Sequence, residues 1–109
     1  MGNTRVIMRV IKRATLKGFW EQKDCEDAQG PLEAWFSEAD KAEWTSPQDV
    51  KDTYGTASIV ANNRVVFNIK GNDYRLIAAI QYEHQIVWIK FIGTHKEYDK
   101  VDAATVDIY

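Results

Sequence analysis

The densest chemistry in this 109-residue chain is the run Thr94-His95-Lys96-Glu97-Tyr98-Asp99-Lys100. One short stretch supplies an imidazole, two ammonium groups, a phenol and two carboxylates. With Lys70 and Arg75 it holds every group type needed to cut RNA without a metal. In such a reaction the substrate's own 2′-hydroxyl attacks the adjacent phosphorus. A base must sit near that hydroxyl, an acid near the leaving 5′-oxygen, and cations around the pentacoordinate phosphorane. Arginine suits forked contacts to phosphate oxygens, lysine acts as a point charge, and histidine titrates near neutrality. Taken singly, a histidine at a strand end or a lysine beside a hairpin is more often an ordinary surface residue. The joint content of the cluster is what points to a site.

Other chemistries find little support. His84 and His95 stand eleven residues apart and Cys25 is distant, so no spacing resembles a metal site. Gly71 stands alone in its turn, which excludes a glycine-rich phosphate loop. Cys25 has no companion base and reads as packing or surface.

The elements that must position these residues are readable from periodicity. Arg5–Ile11 is short and rich in β-branched residues, which predicts a first strand. Thr15 is a plausible helix start, with Leu16, Phe19 and Trp20 at helical spacing to about Lys23. A second helix is expected to open at Pro31 and to bury Leu32, Trp35, Phe36 and Ala39. Ser46-Pro47-Gln48-Asp49 has a capping pattern and predicts a third, short helix ending at Gly55. The period then changes. Arg64–Lys70, Tyr74–Gln81 and Ile86–Gly93 are apolar-rich runs joined by short polar connections, which predicts an antiparallel meander.

The expected fold class is thus α+β: one strand, two or three helices, then a three-stranded meander with helices on one sheet face. Val65, Phe67 and Ile69 would face the helices, leaving Asn68, Lys70 and Arg75 on the second face as the candidate site. A single domain over residues 1–109 is expected, with 1–7 a possible extension before a start at Met8, and 102–109 a frayed tail.

Composition narrows the function classes. At 45% hydrophobic with four tryptophans and two prolines, the chain is not of a disordered type. No apolar run is long enough to span a bilayer, so no membrane partner is expected. The lone Cys25 and the lack of a secretion signal at the amino terminus suit a cytoplasmic location. The net charge of −2 is low for a nucleic-acid enzyme, but it is unevenly spread. Residues 1–20 hold five bases and no acid, 21–58 hold ten acids and three bases, and 59–100 hold six bases and four acids.

The stretch Val65-Val66-Phe67-Asn68-Ile69-Lys70-Gly71-Asn72-Asp73-Tyr74-Arg75-Leu76-Ile77-Ala78, followed by Gly93-Thr94-His95-Lys96-Glu97-Tyr98-Asp99, resembles the HigB branch of RelE-like toxins. Met8-Arg9-Val10-Ile11 with Leu16 and Phe19 resembles that family's first strand and helix. The resemblance implies a RelE-like fold and ribosome-dependent cleavage of mRNA without a cofactor. It also implies inhibition by a helix-turn-helix antitoxin of the HigA-like kind. On it, Arg75 and Lys70 stabilise the phosphorane, His95 is the general acid or base, and Tyr98 is a second proton-transfer group or a stacking platform. Asn68 and Lys96 orient the RNA. Two positions depart from the family pattern. Asn68 stands where relatives can carry a second lysine, and the usual carboxy-terminal catalytic tyrosine is missing; Tyr98 is the candidate to replace it, since Tyr109 lies too near an end expected to fray.

Two rival readings remain open at this stage. One is a non-catalytic RNA- or protein-binding module on the same fold, which the low positive charge favours. The other is a ribosome-independent endoribonuclease, which weak overall basicity disfavours, because non-specific RNA affinity comes largely from phosphate neutralisation.

Overall fold

The β-branched and aromatic runs of the second half form the centre of the molecule in a computed structural model that describes residues 8–107. Strands β3 (Arg64–Ile69), β4 (Tyr74–Gln81) and β5 (Ile86–Thr94) pair antiparallel as the meander predicted. Two short strands complete a five-stranded sheet of order β1-β5-β4-β3-β2. Strand β1 (Arg9–Ile11) runs parallel to β5, and β2 (Ser58–Val60) runs antiparallel to β3. The expected first strand began at Arg5; residues 5–7 and the proposed extension lie outside the described residues. β2 was not anticipated, because three residues carry too little periodicity to register.

Helix α1 (Ala14–Trp20) follows β1, and a 3-10 turn at Glu26–Ala28 leads into α2 (Gln29–Lys41). α1 stops short of the expected Lys23, and α2 begins two residues before Pro31, which sits in its first turn. Pro31 is harmless there, since first-turn N–H groups lack intrahelical partners. α3 (Pro47–Thr53) starts where the sequence places it: Ser46 Oγ accepts from the Asp49 amide at 3.4 Å. A last helical turn, α4 (His95–Tyr98), closes the order.

The helices cover one sheet face. Leu16, Phe19, Leu32, Trp35 and Ala39 pack there against Val65, Phe67, Ile69, Leu76, Ile80, Val87 and Ile89. Phe67 is the hub: its ring lies 5.3 Å from both Trp35 and Tyr54 and 6.2 Å from Trp44. Such pairs each contribute about 0.5–1.5 kcal/mol beyond area burial. Phe36 was expected inside but is only part-buried. It lies beside Trp20 in an outer groove between α1 and α2, with the Arg13 guanidinium 4.3 Å above its ring.

The second sheet face is not simply polar. Val66, Ile77 and Phe91 form a smaller core there, and Tyr98, Val101, Ala103 and Val106 pack onto it. Of the segment 102–109, expected to fray, residues 102–107 lie against the sheet and 108–109 are outside the described residues. Arg64 donates to the carbonyls of Ala103 and Val106 at 3.3 and 2.6 Å, and Asn62 donates to that of Ala104 at 2.8 Å. Val101, Ala103 and Val106 explain the docking, since they give this segment an apolar side to bury.

Candidate active site

Strand register sets the site. Asn68 pairs with Arg75, and Arg75 pairs with Gly93, so the three lie in one row across β3, β4 and β5. At Gly93 the space a side chain would take is filled by the Phe91 ring and the Glu97 carboxylate. A Cβ there would sit 2.6 Å from Phe91 Cζ and 3.0 Å from Glu97 Oε1, so only glycine fits. β5 then turns directly into α4 through a capping box. Glu97 N–H donates to Thr94 Oγ1 at 3.1 Å, and Thr94 N–H donates to Glu97 Oε1 at 2.8 Å. The signature Thr94-x-x-Glu97 is a helix start that can be read from the sequence alone. A further tie, from the His95 amide to the Asp73 carbonyl at 3.1 Å, joins α4 to the β3–β4 turn.

This turn brings His95 and Tyr98 to the end of the row. Their rings are 6.4 Å apart and edge-on, and the Arg75 guanidinium carbon lies 5.7 Å from the Tyr98 ring centroid. Arg75 is braced by Asn72, donating to its side-chain oxygen at 2.9 Å and its carbonyl at 3.3 Å. His95 Nδ1 faces the Asp99 carboxylate at 3.4 Å, which leaves Nε2 as the nitrogen for proton transfer. The imidazole is about half exposed, at 49%. Arg75, His95 and Tyr98 therefore form one solvent-facing rim. Lys96 is exposed on the same short helix. Asn68 is half-buried, its amide donating to the Thr56 carbonyl at 3.3 Å, which commits part of its hydrogen-bonding capacity to β2's approach.

Lys70 does not join them. The alternation of β3 predicts it on the second face beside Arg75, but its φ is +53°, in the left-handed region. That conformation ends the alternation and swings the side chain to the helix side. There its ammonium is 2.7 Å from Asp27 Oδ2 and 3.2 Å from Asp73 Oδ2. Tyr74 Oη donates to the other oxygen of the Asp27 carboxylate. The Lys70 ammonium and the Tyr74 phenol, hydrogen-bonding to it, hold the Asp27 carboxyl below its ordinary range. The same bonds, Asp27 first, raise Lys70, and Asp27 together with burial raises Tyr74. Asp27 was missed by sequence reasoning because its partners lie more than forty residues away.

Among the described residues, no group of three histidine, cysteine, aspartate or glutamate side chains is placed to hold a metal ion. Nor is any described helix long and apolar enough to cross a membrane. What the rim offers is a forked cation, an imidazole and a phenol within one side chain's reach of each other.

Comparison with known proteins fits this arrangement. A family model described as HigB_toxin, RelE-like toxic component of a toxin-antitoxin system, matches residues 28–101. The chain belongs to the HigB toxin family. The match runs from the end of the 3-10 turn through α4, and so takes in every residue of the HigB rim. The "mRNA interferase toxin HigB" of Escherichia coli (strain K12) is 47% identical over 34 residues, which are 31% of this chain and 33% of that protein. Proteins named "mRNA interferase HigB" from Escherichia coli O157:H7 and Shigella flexneri match to the same extent. The chain thus spans about a third of the length of these curated HigB relatives.

Proposed function

We propose that this HigB-family chain is a metal-independent endoribonuclease that cuts mRNA presented by the ribosome in the cytoplasm. The observation that carries the reading is the Arg75–Tyr98–His95 rim, held in place by the β5–α4 capping box. Arg75 forks onto the scissile phosphate and stabilises the phosphorane as negative charge builds on its equatorial oxygens. His95, with Asp99 at Nδ1, exchanges a proton through Nε2 with the 2′-hydroxyl or the 5′-leaving oxygen. Tyr98 carries Arg75 over its ring and serves as the second proton-transfer group or as a stacking platform. Lys96 and Asn68 orient the strand. The names of the relatives, mRNA interferases, support the substrate class. Ribosome dependence suits a chain with net charge −2, since the ribosome supplies the substrate concentration that phosphate attraction otherwise provides. The partner that silences it is a helix-turn-helix antitoxin of the HigA-like kind.

Cleavage of ribosome-bound mRNA by a His95→Ala variant tests the assignment. Loss of general acid–base catalysis lowers the rate by about 10²–10⁴-fold; a wild-type rate overturns the role of His95. One observation favours a second reading, a module that binds without cutting: Lys70 is neutralised by two carboxylates, so the rim has one cation fewer than the motif implies. Under that reading no RNA products form with the wild-type protein, with or without ribosomes.

A further inference from the structure

The second sheet face carries another cationic group at the end opposite the rim. Register places Arg64, Ala79 and Trp88 in one row. Arg64 and Asn68 are four positions apart, about 13 Å along the strand. Lys90 is the extra residue where the β4–β5 register shifts, and its ammonium lies 5.7 Å from the Trp88 ring centroid. The acidic partner here is Asp107, whose carboxylate is 3.0 Å from Lys90 Nζ. Lys90 lowers its carboxyl most, and Arg64 and Lys12 add to the effect. Arg64 itself spends its guanidinium on two main-chain carbonyls of the same segment. One carboxylate therefore meets the Lys90 ammonium, with the Arg64 guanidinium tied to the carbonyl of the residue before it, beside a part-exposed indole. Lys90 is only 19% exposed against it, while Asp107 is 59% exposed.

Cations set beside an aromatic face are what a single RNA strand needs: its phosphates pair with the cations and a base stacks on the ring. A carboxylate seated among those cations occupies the place of a phosphate. The apolar contacts of Val101 and Ala103 hold the tail's first half to the sheet independently of Asp107. We propose that Arg64, Trp88 and Lys90 form a second RNA-binding patch, and that Asp107 of the chain's own tail competes with the RNA backbone for it. This inference rests on the reading of the chain as an RNA-cutting toxin, since it extends the path of the same strand across the same face.

Binding of a short, fluorescently labelled, 2′-O-methylated single-stranded RNA, measured by anisotropy at low salt, tests it. The probe lacks the attacking hydroxyl, so the readout is independent of cleavage. Asp107→Asn is expected to tighten binding by about threefold or more and to steepen its salt dependence, because more cations become free to meet phosphate. Trp88→Ala is expected to weaken binding roughly tenfold, the usual cost of one lost base stack. Lys90→Gln, combined with Asp107→Asn, should return affinity to or below that of the wild type. Because Arg64 also pins the tail, Arg64→Lys, which keeps the charge, serves beside Arg64→Gln, and thermal melts establish that each variant is folded. Unchanged or weaker binding by Asp107→Asn, or unchanged binding by folded Trp88→Ala, overturns the proposal. If His95→Ala leaves cleavage intact while Asp107→Asn tightens binding, the catalytic assignment fails and the patch stands.

Discussion

Two clusters flank the β3–β4 turn, and they use the same residue types for opposite ends. On the helix side, Lys70 is closed in by Asp27 and Asp73, and Tyr74 shares the Asp27 carboxylate. On the second face, Arg75 is braced by neutral groups of Asn72, lies over Tyr98, and has no carboxylate among its described partners. A cation saturated by carboxylates fastens a turn; a cation held by neutral acceptors keeps its charge available to an anion. The lesson is that a basic residue in a family motif identifies a site only when its counter-charges are known, and those are tertiary.

The comparison breaks most decisively at Arg75. Arg75→Ala is expected to reduce cleavage of ribosome-bound mRNA by about 10²–10³-fold, the scale of losing a principal electrostatic stabiliser. Arg75→Lys should recover only part of that, since an ammonium cannot make the forked contact. Tyr98 sharpens the picture further. Tyr98→Phe keeps the ring beneath Arg75 and removes the phenol. If Tyr98 is a platform, Phe retains most of the activity that Ala loses; if it transfers a proton, the two variants fall together.

The support of the rim is tested by stability. Gly93→Ala forces a methyl against Phe91 and Glu97 and is expected to cost about 1–3 kcal/mol in a urea melt. Thr94→Ala removes the cap of α4, at about 1 kcal/mol. It should also lower cleavage, because α4 is what holds His95 and Tyr98 together.

The smallest effects belong to the fastening side, and they are distinguished by pH. The Asp27 carboxyl is depressed in the folded state, so the unfolded chain binds more protons as the medium is acidified. Its contribution to stability is present above the ordinary carboxylate range and is lost as pH falls through the depressed value. Tyr74→Phe and Lys70→Met each remove a bond that causes the depression. Thermal melts from pH 7 down to pH 3 should therefore show a shallower acid decline in either variant than in the wild type. An identical decline would mean that the Asp27 bonds do not persist in solution.

Much of this arrangement was legible in the sequence, for reasons that particular residues show. β3, β4 and β5 declare themselves because one face of each must be apolar to meet the helices, and α3 because Ser46 caps it locally. His95 and Tyr98 could be nominated together because they share one short run, and Arg75 joins them because the hairpin pairing of β4 with β5 sets it opposite Gly93. Lys70 could not be placed, since its left-handed φ reverses the side on which alternation puts it. The docking of residues 102–107 is illegible for a related reason: their partners, Arg64, Asn62 and Lys90, lie 17 to 42 residues back along the chain. The membership of the HigB family was carried by motifs that include Lys70, although the structure gives that lysine a fastening part.

The central claim is that the working site is the Arg75–His95–Tyr98 rim and excludes Lys70. The direct measurement is the rate at which purified Arg75→Ala and Lys70→Ala proteins, both shown to be folded, cut ribosome-bound mRNA. The account predicts a loss of about a hundredfold or more for Arg75→Ala and a rate within about twofold of wild type for Lys70→Ala. A large loss for Lys70→Ala with Arg75→Ala near wild type would contradict it.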